Sequence, residues 1–60
     1  MNYEDTMMAI REKARRAQGM ELYDVWNELM AYSEKHPFRT MFGHRYTDVR
    51  SYIQGRLDSL

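Results

Sequence analysis

Sixty residues with nine basic and nine acidic side chains and no cysteine allow one small domain, residues 1–60, with neither disulfides nor thiolate metal sites to hold it. A chain this short buries only ~60% of the surface its unfolded form exposes, so regular helix packing or self-association has to supply the stability. Zero formal charge gives no global field toward nucleic acid or membrane, and no run approaches the roughly 20 apolar residues of a membrane span.

Residues 1–10 have neither a positive start nor a long apolar core, so no signal peptide is expected and the cytoplasm is the default location. The two histidines, His36 and His44, are poorly spaced for zinc, and no cofactor is expected.

A first helix is predicted over about 3–18. Asn2 is placed to cap it, with Asp5 at the capping-box position. Glu4 and Asp5 open it and Arg15 and Arg16 close it, as the helix dipole favours. Gly19 follows as a left-handed stop. Tyr3, Met7, Ile10, Ala14 and Ala17 step by four and three, a seam of the coiled-coil type. Met8 and Ala9 widen this seam near its start. It faces either the core or a second copy of the chain, so self-association is a further expectation.

The second helix is predicted over about 20–35. Leu22, Val25, Trp26, Leu29 and Tyr32 recur on one face, and Trp26 is the largest apolar anchor in the chain. Pro37 disfavours helical geometry at His36 and ends the segment there. With only a short connection before it, this helix forms an antiparallel hairpin with the first. Basic Arg11, Lys13, Arg15 and Arg16 on one helix and acidic Glu21, Asp24 and Glu28 on the other favour that register. Exposed pairs of this kind contribute only ~0–1 kcal/mol each.

Residues 37–46 read as a single turn of helix after Pro37 that breaks at Gly43. A third helix is predicted over about 47–58, with Thr47 as its N-cap and Asp48 in its first turn. Val49, Tyr52, Ile53, Leu57 and Leu60 mark its apolar face, and Gly55 falls on the opposite side. The expected fold is all-α, a helical hairpin plus a third helix.

Enzyme chemistry finds no support in these residues. Glu21, Asp24 and Glu28 lack the partner helix with a Glu-x-x-His pattern that di-metal bundles use. No serine or histidine has an evident triad partner, and there is no Gly-rich phosphate loop. A non-enzymatic protein is expected. The stretch that stands out is Lys35–Tyr46, where basic and aromatic groups alternate. Phe38, Arg39, Phe42, His44, Arg45 and Tyr46 have the composition of a protein-binding hot spot. The same chemistry suits a nucleic-acid surface, for which Arg11, Arg15, Arg39, Arg45 and Arg50 are the candidate residues. A third arrangement turns Phe38, Met41 and Phe42 inward to close the open end of the hairpin. Arg50 and Arg56 would extend either kind of surface.

Taken together, the basic stretch Met8–Arg16, the segment Glu21–Leu29 and the aromatic stretch His36–Phe42 resemble the small early proteins of lambdoid phages. They are similar to products of the short reading frames between the exonuclease and excisionase genes. The resemblance covers essentially the full chain. It implies a non-enzymatic early protein, at work in the host cytoplasm, that favours lytic development by binding a host or phage regulatory protein. That family has no site motif from which a functional residue could be transferred.

Overall fold

The computed structural model describes residues 2–60 and resolves them into helices α1 (Tyr3–Arg16), α2 (Glu21–Lys35), α3 (Pro37–Phe42) and α4 (His44–Asp58). Asn2 caps α1 as its position predicts, its Oδ1 accepting the Asp5 N–H at 2.8 Å. The helix stops at Arg16, two residues before the expected end. Ala17 turns extended, and its N–H is held by the Lys13 and Ala14 carbonyls. Gly19 does take the left-handed conformation, at φ +55°. It belongs to the turn that starts α2, where its carbonyl accepts the Leu22 N–H. Glu21 completes that start by accepting the Gln18 N–H at 3.1 Å.

The seam residues Met7, Ile10, Ala14 and Ala17 are buried together with Leu22, Val25 and Leu29 from α2 and Val49 and Ile53 from α4. This seam therefore faces the core of its own chain. Two details of the expected apolar faces are corrected. Met8 is exposed, because one residue past Met7 is about 100° around the helix and off the seam. Leu60 is exposed as well, lying beyond the last residue of α4. Trp26 is only partly buried at the edge of the core, with the Arg50 guanidinium 5.8 Å from its ring centre. The anchors are Met7, Leu22, Leu29, Val49 and Ile53 instead. No helix among the described residues is long and apolar enough to cross a membrane.

The third long helix departs most from expectation. It begins at His44, so Thr47 lies inside its first turns and caps nothing. The start is set from a distance: the Tyr46 N–H donates to the Tyr3 hydroxyl at 2.7 Å. An amide that has no intrahelical acceptor is thus satisfied by a side chain at the beginning of α1. At the other end, the Arg56 guanidinium donates to the Ala14 carbonyl and, at 2.8 Å, to that of Ala17. The start of α1 meets the start of α4, and the end of α1 meets the end of α4. These two helices therefore run parallel. Helix α2 runs antiparallel to α1, with Lys13 paired to Glu28 at 3.1 Å and the Tyr3 and Tyr32 rings 6.3 Å apart.

Four outcomes follow for denaturation experiments. Leu29→Ala removes a fully buried side chain and lowers stability by ~2–5 kcal/mol, enough to unfold much of so small a domain. Arg56→Leu releases the carbonyls at the end of α1 and costs ~1–3 kcal/mol, read from the urea midpoint. At Gly55 an added Cβ would meet nothing within 4 Å, whereas at Gly43 it would stand 2.7 Å from Tyr3 Cζ and closer to its hydroxyl and to the Arg39 carbonyl. Gly55→Ala therefore raises stability by ~0.5–1 kcal/mol, and Gly43→Ala lowers it by ~1–3 kcal/mol through overpacking.

Candidate protein-binding surface

Helix α3 is built by Pro37, which occupies the first helical position where its fixed φ and missing N–H cost nothing. His36 ends α2 and precedes α3, with its N–H on the Tyr32 carbonyl at 3.0 Å. Its ring stacks against Tyr32 at 4.6 Å between centres. The Tyr32 hydroxyl is buried without a hydrogen-bond partner. Gly43 ends α3, and the Tyr3 hydroxyl lies against it.

The inward side of α3 is polar. Thr40 is partly buried, donates from Oγ1 to the Pro37 carbonyl at 3.1 Å, and stands 3.5 Å from the Ser33 hydroxyl of α2. The apolar side faces out: Phe38, Met41 and Phe42 are 76%, 70% and 75% exposed. Positions i, i+3 and i+4 share one helical face, so these three form a single patch. The arrangement in which they fold inward to close the hairpin is overturned. Six residues make too short a helix to reach the core, whose space is already filled by α1, α2 and α4.

Of the six residues expected to bind a partner, Phe42, His44 and Arg45 border one concavity between the end of α3 and the start of α4. Phe38, Arg39 and Phe42 are exposed on α3. His44 and Arg45 are exposed on the first turn of α4, where Arg45 Nε donates to Glu4 at 3.1 Å. Tyr46 turns inward and packs against the core. Met41 was not among the expected contacts, although its spacing from Phe38 and Phe42 after a helix-starting proline was the available signal.

Of the five arginines considered for nucleic acid, four are engaged within the molecule. Arg11 lies 5.1 Å from the Tyr52 ring centre and Arg50 lies over Trp26. Arg45 holds Glu4, and Arg15 Nε donates to both Glu12 carboxylate oxygens at 3.1 Å. Those hydrogen bonds from Arg15 hold the Glu12 carboxyl below its ordinary range. Arg39 alone of the five has no intramolecular partner among the described residues. Arg56, expected to extend the surface, caps α1. Comparison of the chain with protein-family models, with curated proteins and with solved structures finds no match.

Proposed function

We propose that this chain is a small interaction protein, acting without catalysis, that binds another protein through the outward face of α3. The observation that carries this reading is the exposure of Phe38, Met41 and Phe42 on one face of a helix whose polar side is turned inward. The largest apolar patch on a monomeric protein is often a functional one. Aromatic side chains with a neighbouring arginine are the residues that dominate binding hot spots, and a methionine adapts to the shape of what it meets. The likeness to early proteins of lambdoid phages makes a host or phage regulatory protein the expected partner, and promotion of lytic development the expected consequence. The alternative, a small nucleic-acid-binding regulator, has less behind it, because four of its five arginines already have intramolecular partners.

The test is the double variant Phe38→Ser/Phe42→Ser. Both side chains are mostly in water, so far-UV circular dichroism and the melting temperature stay within the range of ordinary surface substitutions, about ±0.5 kcal/mol. A discrete protein that copurifies with the wild-type chain is lost from the variant, and so is any activity of the chain in its host. Undiminished binding by a folded double variant would place the working surface elsewhere.

A further inference from the structure

The nine Lys and Arg side chains are not equally available. Among the described residues, Lys13 holds Glu28, Arg15 and Arg16 hold Glu12, and Arg45 holds Glu4. Arg11 and Arg50 lie over aromatic rings, and Arg56 donates to carbonyls. Lys35 and Arg39 are left without an intramolecular partner, and both are exposed. They lie on either side of Phe38 in the chain, four residues apart, at the end of α2 and within α3. No aspartate or glutamate occurs from Lys35 to Thr47. The two cations without an intramolecular partner are thus the two that flank Phe38 in the chain, while Glu4, held by Arg45, and Asp48 lie on the other side, around the concavity beside Phe42.

The composition of that face narrows its occupant. A second copy docking through the same face would offer Lys35 and Arg39 a segment without carboxylates, so both cations would stay unpaired. A nucleic-acid strand is tracked by a groove with cations along its length, and only two free ones are present. An exposed aromatic side chain buries ~150–250 Å², so Phe38, Met41 and Phe42 cover roughly 500 Å² on this side. That is below the ~800 Å² per partner of a standard protein interface and suits a short segment. Apolar anchors at helical spacing, i, i+3, i+4 and i+7, are how an amphipathic helix engages such a surface.

The geometry points to an acidic amphipathic helix as the occupant: its apolar stripe covers Phe38, Met41 and Phe42, and carboxylates beside that stripe pair with Lys35 and Arg39. This rests on the reading of α3 as a protein-binding surface and adds the chemistry of the partner. Carboxylates from the partner supply Lys35 and Arg39 with the ion pairs that Lys13, Arg15, Arg16 and Arg45 already have within the chain.

The experiment is a displayed library of helical peptides with leucine or phenylalanine at the anchor positions and Glu, Gln or Lys randomised at the flanking ones. It is selected on the full wild-type chain and counter-selected on Phe38→Ser/Phe42→Ser. The expected binders are rich in glutamate, lose about tenfold or more in affinity when those glutamates become lysines, and weaken as salt rises. Against Lys35→Glu/Arg39→Glu the preference reverses toward lysine. Binders that depend on Phe38 and Phe42 but show no charge preference overturn the acidic partner and leave the docking face standing. If no peptide distinguishes the wild type from Phe38→Ser/Phe42→Ser, the docking face itself is overturned. Tighter binding of a thymidine oligonucleotide than of any selected peptide overturns both in favour of nucleic acid.

Discussion

Two long-range hydrogen-bonding contacts, one at each end, tie α1 to α4, and the rest of the structure depends on them. Tyr3, at the start of α1, satisfies the Tyr46 amide at the start of α4. Arg56, near the end of α4, satisfies the Ala14 and Ala17 carbonyls at the end of α1. Helix ends carry unpaired amides and carbonyls that need partners, and each of these two helices supplies what the other lacks. The polarity of the contacts also fixes direction: only a parallel pair brings start to start and end to end. With α2 antiparallel to both, Met7, Ile10, Leu29, Val49 and Ile53 close one apolar interior.

This parallel arrangement creates the candidate surface. The chain must travel from the end of α2 to the start of α4, and α3 makes that connection. Its position is dictated by its ends, His36 stacked on Tyr32 and Gly43 under the Tyr3 hydroxyl. The interior is already complete, so α3 settles with Thr40 toward Ser33 and its apolar side in water. The usual inside-outside order of an amphipathic helix is inverted here. Such an inversion forgoes the stabilisation of burying two phenylalanines, ~1.5–3 kcal/mol each. For a domain of this size that is a large sacrifice, and the binding role proposed above would account for it.

Electrostatics divide the molecule in the same way. Around the three long helices the cations find carboxylates, aromatic rings or carbonyls, and the expected attraction between the basic edge of α1 and the acidic edge of α2 is realised in Lys13 and Glu28. Glu28 and Glu21 are occupied by Lys13 and by the Gln18 amide, which uses these acidic groups in the fold. Near α3 the pairing stops at Lys35 and Arg39.

Much of the fold was legible in the sequence. Helices repeat every 3.6 residues, and burial follows the same period. Met7, Ile10, Ala14 and Ala17, then Leu22, Val25 and Leu29, then Val49 and Ile53, could therefore be read as core before any contact was seen, and all of them are buried. Asn2 and Pro37 acted where local chemistry said they would. Trp26 shows the limit, since size marked it as an anchor and only packing revealed it as partly buried at the edge of the core. The candidate site was legible in composition but not in orientation. Where α4 begins, which way Phe38 and Phe42 face, and which cations remain free were decided by contacts such as Tyr3 to Tyr46 and Arg56 to Ala17, 43 and 39 residues apart in the chain. A local pattern cannot encode a partner that distant; it becomes a neighbour only when the helices pack.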